Sequence, residues 1–279
     1  MFRTEGSTHT DRENRLLAGY LATIGGYVNS AGFVLIGSFT SHVTGNVGRF
    51  ANDLASEQWA AAGAALLMVV AFVGGAFVAS MLVESHFFRR LGYAYSAALL
   101  TQASLLVVFT VISNIAYTDH ARVKDMESLL LCAGMGMQNS LVSRLSGAVV
   151  RTTHLTGVTT DIGIEAARWF RWWRQSASEV VRIRLALGSN RASRPSVARI
   201  GLLGSIMGGF TVGAVLGGAG AVVLPKVVML PPTFAVAVAS LYAFVSGRRG
   251  PSGREPSHTA EASAATPEAR PHEPSGPLP

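Results

Sequence analysis

Charge is what this sequence has least of. Only 14% of its 279 residues are Asp, Glu, Lys or Arg, where a soluble domain usually carries about a quarter. Cysteine is scarcer still: Cys132 stands alone in an apolar stretch, so there is no intrachain disulfide and no redox pair. No histidine and cysteine spacing suits a metal, no glycine-rich loop suits a nucleotide, and no hydrolase motif occurs. An enzyme, a cofactor and a bound metal are therefore not expected. A cleavable leader is not expected either. The first apolar run follows a polar stretch holding acids as well as bases, it is long, and no small-x-small site follows it.

Apolar residues fill the gap. They make up 49% of the chain, and the mean hydropathy is +0.36. They gather into runs of about 20 residues, the length an α-helix needs to cross about 30 Å of hydrocarbon. The pattern predicts an all-α, polytopic membrane protein with six transmembrane helices, near residues 16–37, 59–83, 91–115, 128–150, 197–218 and 222–245. A turn is expected around 220–226, and Pro231 and Pro232 fall near the start of the last helix, where proline is tolerated. Residues 1–15 are a polar N-terminal segment and 116–127 an external linker. The region about 160–197 reads as an arginine-rich cytoplasmic loop. The tail from 247 to 279, rich in Pro, Ser, Ala and Glu, lacks the apolar surface to fold.

The net charge of +7 is better explained by membrane orientation than by nucleic acid. With the N-terminus inside, eighteen of the 23 Lys and Arg fall on the cytoplasmic side, four outside, and Arg144 within a span. That bias places both termini in the cytoplasm of a bacterial inner membrane. The lipid bilayer is then the first partner, and a homo-oligomer is left open.

The sequence also repeats itself. "SHVTGN" at 41–46 returns as "THLTG" at 153–157. Gly26 and Asn29-Ser30 precede the first copy; Gly136 and Asn139-Ser140 precede the second, all at one constant offset. His42, Thr44 and Gly45 match His154, Thr156 and Gly157 at a slightly larger one. Phe72, Gly75 and Ala76 match Phe210, Gly213 and Ala214 at a third, larger again because the arginine-rich region intervenes. Each half, 16–115 and 128–246, would hold three helices. An odd number inverts one half against the other, a plan used by transporters.

The order "GYVNSAGF", "SHVTGN", "GMQNS" and "RTTHLTGVTTD" resembles the DUF1275 (YoaK) family of bacterial integral membrane proteins, over about Arg15 to Ser246. The resemblance implies the fold and carries no established activity. In that family an acid often stands where this chain has Asn29, so a titratable group is missing here.

The polar residues that could line a solute path are Asn29, His42, Thr44, Gly45 and Asn46 in the first half. In the second they are Gln138, Asn139, Arg144, His154, Thr156, Gly157 and Asp161. Thr44–Asn46 and Asp161 suit helix starts, and helix N-termini offer N–H groups to an anion or a polar solute. The alternative is plain capping. Gln138 and Asn139 need polar partners that lipid does not supply. Arg144 either snorkels or pairs near the cytoplasmic interface, or serves a polar path. Gly204, Gly208, Gly209, Gly213 and Gly217 suggest one smooth packing face. Trp169, Trp172 and Trp173 among the arginines of 165–175 suit a helix at the cytoplasmic headgroup level. Two readings of function follow: a transporter or channel for a small polar or anionic solute, or a non-transporting scaffold or sensor that recruits a partner through its basic loop.

Overall fold

The computed structural model describes residues 11–115, 121–145, 155–182 and 196–248. Every element among them is helical. Helix α1 (Asp11–Ile36) stops at Gly37, whose φ of +75° lets the chain leave the helix at little steric cost. A short helix α2 (Val43–Ala55) leads to the long apolar α3 (Trp59–Glu84), then to one turn, α4 (His86–Arg90), and to α5 (Ala94–Ile115). The second half holds α6 (Ala121–Leu145), α7 (Leu155–Arg182), α8 (Val197–Val223) and α9 (Leu230–Arg248). Pro231 and Pro232 lie in the first turn of α9, where no intrahelical N–H is required.

Several expected boundaries move. The fourth long helix begins at Ala121, inside the stretch read as an external linker. The turn before the last helix falls at 224–229, a little later than expected. The stretch read as an arginine-rich loop is helical as far as Arg182. Its apolar residues recur at helical spacing, in keeping with the helix expected from the tryptophans and arginines of 165–175. Four helices, Arg15–Ile36, α3, α5 and α8, are long and apolar enough to cross a membrane. The apolar part of α9 is shorter, and Arg122, Lys124, Asp125 and Glu127 interrupt the start of α6.

Contacts fix the helix directions. Along α1 and α8 they advance together, from Arg15 against Gly201 to Thr23 against Gly213 and Tyr27 against Gly217, so these helices are parallel. Along α3 and α6 they also advance together, from Phe72 against Gly136 through the Ser80–Ser140 hydrogen bond to the Glu84–Arg144 ion pair. Helices α5 and α6 are antiparallel, joined by Gln102–Gln138 and Ser113–Glu127. Helices α5 and α9 are antiparallel too, with reciprocal Ser96–Ser240 bonds near one end and Asn114 bonded to the Lys226 carbonyl near the other. Leu21–Gln138 and Gly32–Leu131 set α1 against α6 in opposite senses. Direction therefore alternates through α1, α3, α5, α6, α8 and α9.

The closest approaches are made by glycine. A Cβ on Gly26 would overlap the Phe210 carbonyl oxygen, and one on Gly213 would overlap that of Thr23. A Cβ on Gly136 would overlap the Phe72 carbonyl, and one on Gly75 that of Ala133. These are the same two contacts made twice. The step from Gly26 to Gly136 equals that from Thr23 to Ala133, and the step from Phe72 to Phe210 equals that from Gly75 to Gly213. The packing row on α8 is Gly209, Gly213 and Gly217, with Gly201 against Arg15. Gly204 and Gly208 are not part of it, since a Cβ at either meets nothing within 4 Å. They are one residue out of register with the row, and a helix turns about 100° per residue.

Gly213→Leu is expected to lower the unfolding temperature of the purified protein sharply, by an overpacking cost of about 1–3 kcal/mol or more. Gly204→Leu should leave it unchanged. Equal effects of the two in thermal unfolding would overturn the assignment of the packing row.

Candidate functional site

After Gly37 the chain doubles back along α1. Asn29 Oδ1 accepts hydrogen bonds from the Ser41 amide (3.1 Å) and the Ser41 hydroxyl (3.0 Å). Asn29 lies two turns before the end of α1, about 10 Å back along its axis. Helix α2 thus begins at the depth of Asn29, and its 13 residues carry the chain roughly 20 Å to the turn before α3.

His42 sits at the cap position of α2 and makes no side-chain cap hydrogen bond. The Val43 amide donates to Ser41 O and the Asn46 amide to His42 O. The Thr44 and Gly45 amides find no acceptor among the described residues. This corrects the capping expectation: Thr44 and Asn46 lie inside the helix, and the Thr44 side chain is exposed. The spacing of His and Gly has a different cause. The His42 ring lies across Gly45, where a Cβ would run into Cδ2 and Nε2, and its edge meets Phe39 at 6.4 Å between ring centroids. A residue one turn after the histidine must be glycine for the ring to lie there.

Below this helix mouth stands Thr40, 1% exposed. Its methyl packs toward Gly32, and its buried hydroxyl has no hydrogen-bond partner. A buried, unsatisfied hydroxyl is costly and calls for an explanation. Ser38 is held by Arg49 (3.4 Å), which also pairs with Asp53 (3.4 Å). Sequence reasoning missed Thr40 and Ser41, although both adjoin the motif. Their signal is the run of hydroxyl residues after Gly37, at the end of a helix that needed something to turn back against.

The second motif is described only in part, since His154 lies outside the described residues. Helix α7 starts at Leu155 and α2 at Val43, so both helices open one position after a motif histidine. Leu155 and Val158 pack into the core; Val158 is the counterpart of the buried Asn46. Thr156 is exposed, and Gly157 half-buried. Asp161 does not open the helix. It lies in the second turn and pairs with Arg199 (3.5 Å), which also reaches the buried Glu165 (3.4 Å). Helix α2 packs on α3 and α7 on α8, and among the described residues α2 and α7 do not touch. The two motifs are therefore not brought together.

A third set of polar residues lies in the bundle core. Gln138 Nε2 donates to Leu21 O (2.8 Å), and its Oε1 accepts from Gln102 Nε2 (3.1 Å). One amide thus ties α1, α5 and α6. Gln102 Oε1 is buried without a partner. Sequence reasoning missed Gln102 too, though it is a lone amide in an apolar run, the same signal that singled out Gln138. Nearer one end, Ser113 donates to the buried Glu127. Between these two contacts Leu106, Phe109 and Leu131 are almost wholly enclosed, so the described core is apolar there. Asn139 is half-buried, and its carbonyl accepts from Ser143 Oγ. Arg144 pairs with Glu84 at 2.5 Å, the pairing alternative for that residue. Among the described residues, one surface cavity lies between α7 and α8 and another along α3. Neither is lined by Asn29, His42 or Gln138.

An all-helical bundle with four apolar helices of membrane-crossing length, glycine contacts at repeated offsets and amides tied inside the core is compatible with a helical membrane protein. The chain belongs to the DUF1275 family, described as proteins of unknown function, whose profile matches residues 17–242. No curated protein and no solved structure matches it.

Gln138→Leu should lower stability by about 1–3 kcal/mol, because it strands the buried Gln102 side-chain amide. The double variant Gln102→Leu/Gln138→Leu should recover part of that loss, since it removes the stranded group as well. Thermal unfolding in detergent measures both, and a double variant worse than the sum of the singles would contradict the network.

Proposed function

We propose that this protein is a transporter or channel of the bacterial inner membrane, passing a small polar or anionic solute. The observation that carries the reading is the mouth of α2. Two amides without acceptors, Thr44 and Gly45, and the buried unpartnered hydroxyl of Thr40 lie where the chain folds back against Asn29. A helix N-terminus set below the surface favours negative or hydrogen-bond-accepting groups. His42, beside Gly45, and Asn46 complete the outer side of the path. His154, Thr156 and Gly157 would supply its inner counterpart, with Asn139 and Arg144 on the adjoining helix.

In this reading α1, α3, α5, α6, α8 and α9 all cross the bilayer as two inverted three-helix repeats, 16–115 and 128–246, with both termini cytoplasmic. Support comes from the alternating directions, from glycine contacts repeated at constant offsets, and from the arginine distribution. The apolar layer of Leu106, Phe109 and Leu131 would separate the two mouths, as alternating access requires. A rival reading, a scaffold or sensor, draws on the exposed Arg171 and Arg174 of α7. Capture of a cytoplasmic partner lost on Arg171→Glu, with no flux for any solute class in proteoliposomes, would favour it.

Thr40→Val keeps shape and deletes the orphan hydroxyl. Stability should be unchanged or raised, while flux across a panel of small anions and polar solutes falls several-fold, the equivalent of about 1 kcal/mol. Thr44→Val and Thr156→Val should likewise reduce flux without lowering the melting temperature; lower stability with unchanged flux would make the motifs folding devices.

Single cysteines placed at Gln58 and at Ala167 should label from opposite faces of the membrane. The buried Cys132 should stay silent to an impermeant thiol reagent. Labelling of both from one side would overturn the inverted topology.

A further inference from the structure

Helix α7 carries features that the solute path does not use. Its apolar arc is divided. Ile162, Glu165, Ala166 and Trp169 face α8 and, with Val197, Ile200 and Leu203, enclose a cavity of about 340 Å³. Phe170 and Trp173, continuing the same arc, are 57% and 62% exposed. The polar arc holds Arg168, Arg171 and Arg174 at three-residue spacing. The acids of this region are already neutralised: Glu165 by Arg168 (2.6 Å) and Arg199, and Asp161 by Arg199. Arg171 and Arg174 form no ion pair among the described residues, so the helix presents uncompensated positive charge beside exposed aromatics. The Trp169 ring forms part of the apolar cavity wall.

We propose that the crevice between α7 and α8 binds one anionic glycerophospholipid. Its acyl chain fills the apolar crevice against the Trp169 ring, and the phosphate meets Arg174 at the rim. The choice of occupant follows from chemistry. An apolar slot beside exposed Phe170 and Trp173 suits a chain and glycerol backbone at the membrane interface, and unneutralised arginines select a negative headgroup. Helical geometry separates the two free arginines. Arg174 flanks the crevice-facing arc, about 7 Å further along the axis than Trp169, whereas Arg171 projects from the opposite side. The proposal needs the protein to sit in a membrane and is independent of whether it transports anything.

The test uses the full chain purified in mild detergent. Phosphatidylglycerol and phosphatidylcholine with identical chains are added, and retained lipid is read by native mass spectrometry. One phosphatidylglycerol should be retained over phosphatidylcholine. Arg174→Gln should weaken that retention on the order of tenfold, and Arg171→Gln much less. Equal retention of the two lipids overturns the proposal. So does equal loss in the two arginine variants, which would indicate diffuse surface attraction. Quenching of tryptophan fluorescence by brominated-chain phosphatidylglycerol gives a second reading of occupancy, expected in the wild type and reduced in Trp169→Phe.

Discussion

The structure depends on helix backbone meeting helix backbone at glycines. Gly26 and Gly213 bring α1 onto α8; Gly136 and Gly75 bring α6 onto α3. In a bilayer there is little hydrophobic gain in moving a leucine from lipid to protein, so close van der Waals approach of helices takes over much of that role. Exposed Val, Leu and Phe side chains along α3 and α8 fit such a setting, because they face outward while small residues face inward.

The other polar features follow from that packing. With α1 clamped on α8, its Asn29 side chain stays in place to draw Ser41 back and set the depth of α2. With α6 clamped on α3, Gln138 is aimed at Leu21 and Gln102. These amide contacts are single hydrogen bonds, worth roughly 1 kcal/mol each in such settings. They select among arrangements that the glycines already allow rather than create them.

Much of the helical segmentation was legible in the sequence, because runs without charge and a period near 3.6 are local properties. The proline pair at the head of α9 and the glycine at the end of α1 were legible for the same reason. The register of α8 was not. Gly204 and Gly208 look as suitable as Gly209, and only the partner helix decides between rows a single residue apart. The mouth of α2 was half legible. The repeated spacing of histidine and glycine stood out, but capping was the wrong cause, since the reason is a ring lying over the next turn. Thr40 and Gln102 were missed because their meaning lies in what they fail to bond, a property of the folded neighbourhood. Glu84 and Arg144 pair across two helices far apart in the chain, and nothing local joins them.

The exchange of partners between the halves bears on how the chain is made. Helix α1 leaves the ribosome before the other described helices, yet its main mate, α8, follows it only after α2 to α7. Helix α3 waits less, because α6 follows once α5 has passed. A nascent chain of this kind holds α1, with Asn29 and its small-residue face, unmatched through most of synthesis. Pairings so distant in sequence close slowly, and truncation anywhere before α8 leaves the first helix without the surface it was shaped to meet.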